Sequence, residues 1–155
     1  MNNDEIFGQI RKSCIWMGAF AASFVAMYVG IVAFISFQFK YFGGYAPDID
    51  HLVLRAAAYG AAVVAVALLF YTKRKRNLES ASRRAAQNFY EDIKFFINTV
   101  ILSMALSEVP LICGFFMFFL GGLYWDFFAL AAISILLVIL NMPTRGLISK
   151  TLTRA

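Results

Sequence analysis

The chain has 155 residues, 61% of them hydrophobic and 15% charged, with seventeen phenylalanines and a formal net charge of +5. Its mean hydropathy is +0.72. A soluble domain is typically about 45–50% apolar and about 25% charged, and an interior of this size cannot hide such an excess. A soluble enzyme domain, a disordered chain and a nucleic-acid-binding module are thereby excluded, and an all-α, polytopic integral membrane protein is expected.

Four apolar stretches occupy about 15–39, 52–72, 93–120 and 123–142, separated by polar punctuation. Each is long enough for a transmembrane helix, which needs roughly 20 apolar residues. The first follows Arg11 and Lys12, as a signal peptide would. Its apolar run far exceeds the roughly 7–15 residues of a signal's central region, so it reads as an uncleaved span. No linker or second domain is visible, and 1–155 forms one four-helix transmembrane domain.

Twelve of the fourteen basic residues fall on one side of this arrangement. They precede the first span, fill the loop at 73–92, follow the fourth span and, with Lys94, stand just inside the third. Only Lys40 and Arg55 fall on the other side, with Asp48, Asp50 and Asp126. Basic loops stay cytoplasmic, so both termini are expected in the cytoplasm and the protein in a bacterial inner membrane. The basic pI of about 9.4 is then a record of insertion, and no nucleic acid is expected as a partner.

Aromatic clusters at Phe37–Tyr45 and Tyr124–Phe128, with Trp16 and Tyr71 at the opposite boundary, fit rings at the headgroup level. Leu78, Ala81, Ala85 and Phe89 recur at helical spacing in the basic loop, which predicts a helical extension there. Asp4 is placed to cap a short N-terminal helix, and the stretch after Pro143 suits an interfacial helix. Gly43-Gly44 and Gly121-Gly122 mark turns on the outer side.

Span one carries Gly18, Ala22, Ala26 and Gly30 at intervals of four, and span two is alanine-rich around Gly60 and Ala61. Such faces let helix backbones approach closely, within one protomer or between copies. Spans three and four, bulkier, are expected to present more surface to lipid or to neighbours.

Glu108 is the one ionisable side chain deep inside a span. A carboxylate at that depth is costly, and the neutral acid is its cheaper form. Pro110 lacks an amide hydrogen and so frees the carbonyl of Leu106, while Ser107 adds a hydroxyl beside them. Two readings stand: a proton or sodium site built from Glu108, Ser107, Leu106 and Pro110, or a neutral glutamate bonded to another helix. His51 is the only histidine, and Cys14 and Cys113 are the only cysteines. These supply neither a zinc set nor a hydrolase triad, so no catalytic residue, metal or cofactor is expected and the chain is taken as non-enzymatic.

The run Ala105-Leu106-Ser107-Glu108-Val109-Pro110-Leu111-Ile112-Cys113-Gly114 resembles the carboxylate-bearing helix of rotary ATP synthase proteolipid (c) subunits. Ala105, Leu106, Glu108, Ile112 and Gly114 match that pattern in type and spacing. The resemblance implies an ion-carrying carboxyl at Glu108. It does not extend to the alanine-rich second span, the long basic loop or the two flanking spans. Across more of its length, with Phe119 to Gly122 as the closing turn, the chain resembles a group of uncharacterised bacterial four-span proteins. The expected function is a subunit of a larger or oligomeric membrane complex, its partners being lipid, other subunits or copies of itself. The alternative is a proteolipid-like proton or sodium carrier.

Overall fold

The computed structural model describes residues 3–39, 42–46, 48–83 and 89–142. They form four helices: α1 (Asn3–Gln38), α2 (His51–Arg83), α3 (Phe89–Gly121) and α4 (Tyr124–Asn141). All four contain a segment long and apolar enough to cross a membrane: Ile15–Gln38, His51–Lys75, Lys94–Gly121 and Tyr124–Asn141. The fold is therefore all-helical and has the make-up of an integral membrane protein.

One boundary differs from the sequence reading, and the helical extension expected in the basic loop is present. α1 starts at Asn3 and runs unbroken into the first span, so Asp4 lies within this helix. Nothing between Ile10 and Ile15 breaks a helix, and one long helix saves the orphan backbone groups of a second terminus. The basic loop is largely helix, as α2 continues to Arg83 and α3 begins at Phe89. The stretch after Pro143 lies outside the described residues.

α3 is the central helix and packs against the other three, most extensively α4 and α2. Within an apolar 18-residue stretch of each span the buried share is 44% in α3, 33% in α4, 22% in α2 and 17% in α1. This reverses the expectation that spans three and four face outward. Their phenylalanines and leucines supply the volume that fills the middle, while α1 and α2 lie at the periphery.

Three apolar clusters hold the bundle. Ala21 of α1 meets Phe96, Val100 and Met104 of α3 and Val138 of α4. Val32 of α1 meets Leu111, Phe118, Phe127 and Ala131. Ala58 and Ala62 of α2 meet Met117 and Leu130. The expected aromatic belt is divided: Phe37 and Trp125 are almost fully exposed, whereas Phe127 is completely buried. Phe42 lies against Phe118, with ring centroids 5.2 Å apart.

The two glycine pairs form one interlocked cap. Gly44 (φ +89°) and Gly122 (φ +65°) both adopt the left-handed conformation. Tyr45 and Ala46 donate backbone N–H bonds to the carbonyls of Phe119 and Leu120, at 2.9 and 3.0 Å. These carbonyls end α3 and would otherwise lack donors. A side chain at Gly44 would strike the Leu120 carbonyl, and one at Gly122 would strike the Phe42–Gly43 backbone. α2 starts close by, where Asp50 Oδ1 accepts from the Leu52 N–H at 2.8 Å, an N-cap bond.

Candidate functional site

Glu108 lies 14 residues from Lys94 and 13 from Gly121, about 20 Å from either end of the α3 span at about 1.5 Å per residue. Helical rotation places it at the edge of the face that meets α1. Met104 and Leu111 on one side are buried in the α1 clusters. Ile101 and Ile112 on the other side are exposed. Glu108 itself is half-buried and forms no hydrogen bond or ion pair among the described residues.

Its expected companions point elsewhere. The Ser107 hydroxyl donates to the Ser103 carbonyl at 2.7 Å and accepts from Asn141 Nδ2 at 2.9 Å. It is fully buried on the α4 side of α3. Pro110 is also fully buried, and α3 runs through it without interruption. Ser107, Leu106 and Pro110 thus neighbour Glu108 in sequence, but the Ser107 hydroxyl is engaged with α4.

That engagement is part of a buried polar seam the sequence reading overlooked. Thr99, Ser103 and Ser107 each donate to the carbonyl four residues earlier, at 2.7–2.8 Å. Ser134 of α4 donates to the Ser107 carbonyl at 2.7 Å. Asn141 bridges the Ser107 hydroxyl and its own helix, donating to the Leu137 carbonyl at 2.7 Å. The signal was two polar residues seven apart in the apolar run that follows Asp126, which places Ser134 and Asn141 on one helical face. The hydroxyls bond to backbone carbonyls and not to one another, so the ladder alone offers no chain for proton hopping.

A second polar cluster ties α2 to α4 near the glycine turns. Arg55 donates to Asp126 Oδ2 through Nε at 3.1 Å and Nη2 at 2.9 Å. Tyr59 donates to Asp126 Oδ1 at 2.9 Å. Asp126 is well covered and Arg55 half-exposed, with side-chain exposures of 12% and 51%. Asp126 also sits in the first turn of α4, where the helix dipole favours a negative charge. The charge of Arg55 is thus answered by Asp126.

The small-residue positions divide sharply. Gly18 is buried against the Met142 side chain. Ala22, Ala26 and Gly30 are exposed, as are Gly60 and Ala61. A side chain added at Gly30 or Gly60 would meet nothing within 4 Å. The protomer therefore uses only the Gly18 end of the α1 ridge. Gly114 of α3 does pack inside, its Cβ position lying 3.2 Å from the Phe127 backbone of α4.

Cys113 carries a free thiol. No group of three or more His, Cys, Asp or Glu residues that could hold a metal ion occurs among the described residues. Comparison with protein-family models, curated proteins and solved structures found no match.

Proposed function

We propose that the chain is a non-enzymatic subunit of an oligomeric complex in the bacterial inner membrane, associating through the outward small-residue faces of α1 and α2. The observation that carries this reading is the open space at Gly30 and Gly60. Ala22, Ala26 and Gly30 bury nothing inside the protomer, so internal packing gives no reason for small residues there. In lipid, helices gain nothing from hiding apolar surface from water. Association depends on close van der Waals approach, which a small-residue ridge permits.

The test is the size of the protein in mild detergent and in nanodiscs, for the wild type and for Ala26→Leu and Gly30→Leu. The wild type should migrate as an assembly and the variants as smaller species. Their helix content should match the wild type, because both sites are exposed within the chain, so a smaller size reports lost association and not a lost fold. A wild-type monomer in lipid overturns the proposal.

A second reading, transport of a proton or sodium ion by Glu108, is favoured by the lack of a partner for that carboxyl among the described residues. A half-buried acid at the rim of a lipid-facing surface is reachable by a neighbouring subunit or an ion. A hydrophobic carbodiimide, which attacks protonated carboxyls, should then modify Glu108, with protection by sodium or by raised pH. Glu108→Gln provides the blank. Absence of modification counts against the carrier.

A further inference from the structure

Asn141 is the last residue of α4 and is nine-tenths buried, at 9% exposure. Its amide nitrogen donates to the Leu137 carbonyl at 2.7 Å and to the Ser107 hydroxyl at 2.9 Å. These bonds fix the orientation of the group: with the amide reversed, Oδ1 would face the Leu137 carbonyl oxygen, acceptor against acceptor. Oδ1 consequently points away from both, and it is buried with no hydrogen-bond partner among the described residues. Buried polar atoms in native proteins are almost always satisfied, by protein or by ordered water.

The chemistry around Oδ1 restricts what can satisfy it. The protons of Ser103, Ser107 and Ser134 are all committed to carbonyls. Both amide protons of Asn141 are committed as well. The seam is left with acceptors only: Oδ1 and the spare lone pairs of the hydroxyl oxygens. Such a site rejects an anion and takes a species that donates hydrogen bonds, or a cation. No carboxylate belongs to the seam among the described residues. A positive charge at Oδ1 would be held by the neutral oxygens of the seam alone, in a poorly solvated setting.

We infer that Asn141 Oδ1, at the buried end of the seam between α3 and α4, is a binding site for a single neutral water molecule. A buried water typically makes about three hydrogen bonds to groups otherwise unsatisfied, and here it supplies the one donor the seam lacks. The site depends neither on oligomerisation nor on ion transport by Glu108, which occupies a different face of α3.

The experiment is a structure of the full chain in lipid, at a resolution that reveals ordered waters. One non-protein density peak should lie about 2.7–3.0 Å from Asn141 Oδ1. It should be lost in Asn141→Leu. If that variant does not accumulate, the wild-type map alone decides. A protein donor on Oδ1, or a vacant site in a map with other waters resolved, overturns the inference. Unfolding temperatures in sodium, potassium and choline chloride at equal ionic strength should coincide. A sodium-specific rise would make the ligand a cation and overturn the inference too.

Discussion

Single residues decide whether the turn end of the bundle closes. Gly44 needs its left-handed φ of +89°, and a Cβ there would collide with the Leu120 carbonyl. Gly44→Ala should lower stability by about 2 kcal/mol or more, the strain of a wrong backbone added to a clash. Its neighbour Gly43 faces open space, so Gly43→Ala should stay within about 0.5 kcal/mol of the wild type. Equilibrium unfolding of both variants in one detergent checks the pair, and equal losses would refute the interlocked cap. Tyr59 gives a second test at this scale, because its hydroxyl donates to Asp126 at 2.9 Å. Tyr59→Phe should cost about 1 kcal/mol, the usual net worth of such a bond. Asp126→Ala should cost more, since it strands both Arg55 and Tyr59.

At the scale of the helix, the bundle depends on volume in α3. Phe118 is fully buried and meets rings from two other elements, Tyr124 at 4.9 Å and Phe42 at 5.2 Å between centroids. Because lipid is as apolar as a protein core, truncation there forfeits mainly packing and cavity terms. Phe118→Ala should therefore cost about 2–3 kcal/mol, toward the low end of the range for soluble cores. Phe34 on α1 is largely exposed, and Phe34→Ala should be near neutral in the same assay. The helices themselves were legible in the sequence, because the bilayer length rule depends on apolar run length alone. Which helix lies in the middle was not. Small residues suggested close packing inside the bundle, but Gly30 and Gly60 face out and phenylalanines fill the centre. A run of small residues states how near a neighbour can come, not which neighbour arrives. The candidate site was legible in the same partial way. Depth marked Glu108, but rotation about α3 separates it from the Ser107 hydroxyl. The Asn141 and Asp126 partnerships join residues 34 and 71 positions apart, a separation no local pattern encodes.

For the whole molecule, the two ends of the bundle differ in both charge and construction. One end is closed by the glycine cap and the Asp126 cluster; the other carries Lys73, Lys75 and Lys94 and the helical extensions of α2 and α3. Carrying a basic residue outward against a membrane potential costs roughly 2.3 kcal/mol per charge for about 100 mV. With twelve basic residues on one side of the topology read from the sequence and two on the other, the expected orientation keeps the basic side in the cytoplasm. Single cysteines in a Cys14→Ser, Cys113→Ser background check this, because Asp48 and Lys12 are both exposed but lie at opposite ends. In intact cells a membrane-impermeant maleimide should label Asp48→Cys and leave Lys12→Cys unmodified until the membrane is permeabilised. The opposite pattern would invert the protein. It would also place the buried seam at Asn141, which sits toward the basic end, nearer the outer surface. Labelling of both sites in intact cells would mean insertion in both orientations, and then the charge asymmetry would not set the topology.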